Sequence, residues 1–126
     1  MSEHSQQAMV IQWAKRHEGK WPELRWIHSS LNGIFIPGPR KMAYKIMNHM
    51  KAEGQKNGVP DLFLPVARRG FHGLFIEMKR DDKQAPRPEQ IEFMQFAEEQ
   101  GYRDQVCYGY QDAVNELEWY LGKDEK

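Results

Sequence analysis

Two short stretches decide the fold: Gly58-Val59-Pro60-Asp61-Leu62-Phe63-Leu64-Pro65-Val66 and Gly73-Leu74-Phe75-Ile76-Glu77-Met78-Lys79. Each is a mostly apolar run bounded by glycine or proline, as expected of a buried strand. Arg68-Arg69-Gly70 between them reads as a hairpin tip. Side chains alternate faces along a strand, so Leu74, Ile76 and Met78 share one face. Phe75, Glu77 and Lys79 share the other. An acid and a base projecting together from an apolar strand are costly to bury unless they are paired or given a ligand. If the two strands pair as a hairpin, Asp61 at the head of the first lies beside Glu77. Two neighbouring carboxylates repel unless a cation or a proton sits between them. Hard oxygen ligands in small number suit Mg²⁺, which keeps waters and shares phosphate oxygens.

Outward from the hairpin, the pattern alternates. Ser2 caps a first helix on which Met9, Val10, Trp13, Ala14 and His17 recur at helical spacing, ending near Gly19. Trp21 to Leu24 is a connector, Arg25 to Ser30 has strand character, and Asn32-Gly33 is a turn signal. A second helix spans Arg40 to Glu53, with Met42, Ile46, Met47 and Met50 as a core-facing stripe and Gly54 as its stop. Asp81 to Pro88 is a polar loop. Pro88 opens a third helix, with Ile91, Phe93, Met94, Phe96 and Ala97 as core candidates and Gly101 at its end. Gln105 to Tyr110 forms a last strand, and Ala113, Val114, Leu117, Tyr120 and Leu121 mark a final helix. The order α-β-α-β-β-α-β-α implies an α/β domain with a mixed sheet flanked by helices.

Composition narrows the class. The 126 residues amount to one domain, expected over 1–126, and 40% are hydrophobic, which excludes disorder as the default state. No apolar run is long enough to span a membrane, and the first residues lack the pattern of a secretory signal. A single cysteine, Cys107, makes neither an internal disulfide nor a Cys-based zinc site, and five scattered histidines show no ligand spacing. A reducing cytoplasm is the expected setting. No phosphate-binding loop or dinucleotide fingerprint is present, so no nucleotide cofactor is expected. The net charge of zero hides an asymmetry: residues 1–60 hold nine Lys/Arg against four Asp/Glu, and residues 61–126 hold nine against fourteen. The basic excess is densest around Arg40, Lys41, Lys45, Lys51 and Lys56. Such a stripe attracts phosphates through its local field, although a solvated helix face has the same composition.

Pro60-Asp61, then fifteen residues, then Glu77-x-Lys79, resembles the PD-(D/E)xK nuclease motif. With Gly58-Val59-Pro60-Asp61-Leu62 before it and Pro88-Glu89-Gln90 after it, the chain resembles the VRR-NUC branch of that superfamily. The Asn32-Gly33 turn and the early acid Glu3 extend the resemblance over roughly residues 3 to 121. It implies a restriction-endonuclease-like core and a Mg²⁺- or Mn²⁺-dependent deoxyribonuclease. It also implies roles for individual residues. Asp61 and Glu77 become metal ligands, together with the backbone carbonyl of Met78 and, from the first helix, Glu3. Lys79 becomes the catalytic lysine and Gln90 an active-site residue that positions water or phosphate. Asn32 falls near the substrate-facing edge. Arg40, Lys41, Lys45 and Lys56, with Arg68 and Arg69 at the hairpin tip, would track phosphates. Free-standing members of this branch, common in phages and bacteria, resemble homodimers suited to branched DNA such as a four-way junction. Two alternatives stay open: a DNA-binding module whose nuclease site is silent, and a nuclease subunit of a larger complex.

Overall fold

The computed structural model describes residues 1–122, so the last four residues of the expected domain lie outside the described residues. Four strands form one sheet in the order β1-β2-β3-β4: His28–Ser29, Leu62–Leu64, Leu74–Lys79 and Arg103–Tyr108. The β1–β2 and β2–β3 pairs are antiparallel and β3–β4 is parallel, a mixed sheet as the residue pattern implies. The parallel pair is joined by a helix, as a parallel connection requires. The helices are α1 (Glu3–Arg16), α2 (Arg40–Ala52), α3 (Pro88–Glu99) and α4 (Tyr110–Leu121).

Local chemistry sets most of these boundaries. Ser2 caps α1 by accepting from the Ser5 amide at 3.1 Å, and Glu3 lies in the first turn with Lys15 and Arg16 in the last, matching the helix dipole. Pro88 stands at the first position of α3, where its missing N–H costs nothing. Gly101 ends that helix at φ +91°, where a Cβ would come within 2.6 Å of the His72 ring. The hairpin tip between β2 and β3 closes at Arg68 and Phe71, with Arg69 and Gly70 both at positive φ.

The core lies between one face of the sheet and the helices α1 and α4. Leu62, Leu64, Leu74, Ile76, Met78 and Cys107 meet Val10, Trp13, Ala14, Val114, Leu117 and Tyr120 there. Tyr120 donates its buried hydroxyl to the Val66 carbonyl at 2.6 Å, so its polar end is satisfied inside the core. The other face carries Phe63, Phe75 and Tyr102 in mutual ring contact, with Phe93 of α3 edge-on to Phe75. The single cysteine is free and buried, and burial raises its thiol pKa.

Three expectations are corrected. The strand foreseen over Arg25 to Ser30 shrinks to two residues, because Pro22 initiates a 3-10 helix over Pro22–Trp26 that buries Leu24. The apolar stripe of α2 is not core: that helix buries no residue, and Met42 is 52% exposed, with Ile46 and Met47 also exposed. Helical periodicity shows that one face is apolar, not that another element covers it. On α3, Ala97 is buried and Phe93 and Met94 are half-buried, but Ile91 and Phe96 are exposed, so only part of its apolar set meets the sheet.

Asp104 on β4 is buried with both carboxylate oxygens lacking a hydrogen-bond partner. Burial, reinforced by Glu98, pushes its pKa up to about 7. A folded-state pKa above the unfolded value means the native state holds the extra proton. This group's contribution to stability is therefore full below about pH 4, falls as pH rises towards 7, and is lost above it. The Asp104→Asn variant should be more stable than the parent by about 1–3 kcal/mol at pH 8 and nearly matched with it at pH 4.5. Denaturant titrations at the two pH values check this.

Candidate active site

The pairing of β2 with β3 sets Leu62 opposite Ile76, so Asp61, one residue earlier, falls opposite Glu77, one residue later. Asp61 is fixed by accepting the Met78 amide on Oδ2 at 2.7 Å. Glu77 and Lys79, on the face away from the main core, are 3% and 6% exposed. They are 3.7 Å apart, Lys79 Nζ to Glu77 Oε2. The alternation read from the sequence therefore holds, and the strand buries its charged residues beside its apolar ones.

Gln90, in the first turn of α3, joins the group. Its Nε2 donates to Glu77 Oε2 at 2.8 Å, and its Oε1 accepts from Lys79 Nζ at 3.1 Å. The same Oε1 also accepts the Arg87 backbone amide at 2.8 Å, a helix-capping bond. One buried amide thus joins the start of α3 to both Glu77 and Lys79.

These side chains line a cleft of about 190 Å³ shared with Glu3, His4, Gln7, Asn32, Gly33, Asn57, Gly58, Val59, Gln84 and Arg87. Glu3 reaches the cleft because α1 packs on α4 and on β3. Near its start, α1 is tied across the fold where the Tyr110 amide donates to Gln6 Oε1 at 2.6 Å. Asn32 is in the wall, donating to the Val59 carbonyl at 2.6 Å and accepting from Gln55. Gly58 has φ +91° and passes so close to α3 that a Cβ would lie 2.6 Å from the Glu89 carbonyl oxygen.

Electrostatically the cleft is under-neutralised. Burial raises the Asp61 pKa, with Glu3 adding to the effect and the Met78 amide and Lys79 opposing it. Burial, then the nearby Asp61, pushes Glu77 up to about 8 against the pull of Lys79. Glu77 Oε1 is buried with no hydrogen-bond partner. An orphaned carboxylate oxygen beside a second carboxylate is what a hard divalent cation would satisfy. The residues present fit such an ion. Among the described residues no three His, Cys, Asp or Glu side chains form a ready-made cage, so waters or substrate oxygens would complete the coordination, as Mg²⁺ commonly accepts.

Several sequence-predicted residues stand elsewhere. Arg68 and Arg69 sit at the opposite end of β3, on the order of 15 Å from Lys79 along the strand. Arg68 pairs with Glu23, while Arg69 donates to the Trp119 carbonyl at 2.7 Å and stacks on that ring. Neither residue lines the cleft. Arg40, Lys41 and Lys45 lie exposed on α2, and exposed Lys56 precedes the cleft residues Asn57 and Gly58. His4, Gln7, Gln84 and Arg87 were missed. Gln7 could have been found as the residue one turn after Glu3; Gln84 and Arg87 lie in a loop with no periodic signal.

A mixed α/β sheet that gathers a half-buried Asp with a buried Glu and Lys at one end of its central hairpin is consistent with a nuclease-type domain, and the family match supports that class. More narrowly, the chain belongs to the VRR-NUC domain family, whose model matches residues 1–111. It is similar to a solved structure of a VRR-NUC domain protein at 29% identity and a TM-score of 0.75, covering 96% of this chain and 88% of that one. No curated protein matches the chain.

Gln90→Ala should leave Glu77 Oε2, Lys79 Nζ and the Arg87 amide without this partner. Unfolding titrations should show a loss of about 2–3 kcal/mol, where an ordinary exposed helix position would lose under about 0.5 kcal/mol.

Proposed function

We propose that this domain hydrolyses phosphodiester bonds in DNA with Mg²⁺ or Mn²⁺. The observation that carries the reading is the buried Glu77/Lys79 pair beside half-buried Asp61, with one Glu77 carboxylate oxygen unsatisfied, at a polar cleft. Asp61 and Glu77 would hold the ion, with the Met78 carbonyl and Glu3 as further candidate ligands. When bound, the ion supplies a Lewis acid for the phosphate and lowers the pKa of a water. Lys79 keeps its ammonium at the cleft wall, oriented by Gln90, where it offsets charge developing on the phosphate. Gln90 holds Glu77 and Lys79 in fixed relation, so neither has to reorganise as the reaction proceeds. The Met78 amide fixes Asp61 in the same way.

The substrate is read as DNA of branched form, cut by a homodimer. Two features support this. Arg40, Lys41, Lys45, Lys51 and Lys56 give the segment beside the cleft a basic surface for backbone phosphates. The exposed Met42, Ile46 and Met47 of α2 form an apolar face that a second copy would cover, and a two-fold dimer matches the symmetry of a four-way junction. Among the described residues no helix is long and apolar enough to cross a membrane.

Purified protein incubated with labelled four-way junction or linear duplex should nick DNA with Mg²⁺ or Mn²⁺ and not with EDTA, favouring the junction. Lys79→Ala should lower the rate by about 10²–10³-fold without unfolding the domain. Binding without cutting under every metal would instead favour the silent DNA-binding module. Sedimentation velocity should show a dimer that Ile46→Glu converts to monomer.

A further inference from the structure

Among the described residues lining the cleft, Lys79 and Arg87 are the lysine and arginine side chains. Lys79 is buried and already committed to Glu77 and Gln90. Arg87 is different. It stands immediately before α3 with a side chain 64% exposed, and its Nε meets Glu89 Oε2 at 3.0 Å. Glu89 is itself exposed, and surface pairs of this kind are weak and readily exchanged.

The backbone of Arg87 is held firmly. Its amide donates to Gln90 Oε1 at 2.8 Å, and its carbonyl accepts from the Gln90 and Ile91 amides at 2.9 and 3.0 Å. Pro88 follows, and Gly58 presses against the Glu89 backbone from the other side. A long, exposed guanidinium is thus mounted on a fixed base at the rim of the cleft. Gln90 links that base directly to Glu77 and Lys79.

A DNA backbone entering here meets Glu3, Asp61 and Glu77. A divalent cation would offset those acids at the scissile phosphate but not at its neighbours. The guanidinium fork matches two phosphate oxygens at once, and the start of a helix favours the same charge. We propose that Arg87 is a substrate-phosphate clamp of this site, with the Glu89 carboxylate standing in for the phosphate until DNA displaces it. This rests on the nuclease reading above and adds to it the residue that binds the backbone beside the bond to be cut.

The test compares wild type, Arg87→Ala, Arg87→Lys and Glu89→Gln. Affinity for a labelled duplex is measured with EDTA across a salt series, and KM and kcat with Mn²⁺. Arg87→Ala should raise KM and Kd about tenfold with kcat nearly unchanged, and reduce the slope of log Kd against log salt by about one. Arg87→Lys should recover only part of the affinity, because an ammonium lacks the fork. Glu89→Gln should tighten binding about two- to fivefold by releasing the guanidinium and removing a repelling charge. Thermal melts of all four establish that the fold is retained. Unchanged KM and salt slope in Arg87→Ala would overturn the clamp. So would Glu89→Gln weakening DNA binding as much as Arg87→Ala, since the pair would then act only to hold α3. In both cases metal-dependent cutting by wild type leaves the nuclease reading standing. Wild type that neither binds nor cuts DNA overturns both.

Discussion

The structure depends on holding two like charges and one opposite charge together on neighbouring strands, with Glu77 and Lys79 buried and Asp61 half-buried. Asp61, Glu77 and Lys79 occupy positions where apolar side chains would be cheaper, since each ionised group loses hydration that one partner cannot replace. The arrangement is held by hydrogen bonds that leave little freedom. The Met78 amide fixes Asp61, and the Gln90 amide spans Glu77, Lys79 and the start of α3. Burial, reinforced by the neighbouring charge of Asp61, pushes the carboxyl of Glu77 up to about 8. Under the proposed function a divalent cation would offset this excess of negative charge.

The rest of the fold serves to bring chain segments distant in sequence to that point. The hairpin supplies Asp61, Glu77 and Lys79 through register alone. Helix α3 supplies Gln90 and Arg87 from its first turn and the residue before it. Helix α1 delivers Glu3, His4 and Gln7 only because its core face, Val10, Trp13 and Ala14, docks on the sheet and on α4. Glu3 is thus placed by packing residues two to three turns away. The loop 53–59 closes the cleft from the fourth side, and its approach to α3 depends on Gly58 having no side chain.

Helix α2 shows where pattern and structure part. Its amphipathic stripe has the spacing of a core helix, as Val114, Leu117 and Leu121 do on α4, yet α4 buries its stripe and α2 does not. Spacing reports the geometry of one helix and is silent about what lies opposite. The same limit explains Ile91 and Phe96, which look like core on α3 and are exposed. It also explains why residue type alone did not tell that Arg68 and Arg69 lie at the end of β3 opposite the cleft.

What the sequence determined by itself was the hairpin, the face on which Glu77 and Lys79 project, the adjacency of Asp61 and Glu77, and the helix start that carries Gln90. Each of these follows from a period of two, a proline or glycine at a fixed offset, or a capping position, all of them local rules. What only the tertiary structure decided was that the charged face is buried, that one glutamine bridges three groups, and that Arg87 and the first turn of α1 share the cleft. It also decided that α2 stands uncovered. Those outcomes depend on the distances between segments far apart along the chain, and side-chain periodicity along any one segment carries no information about them.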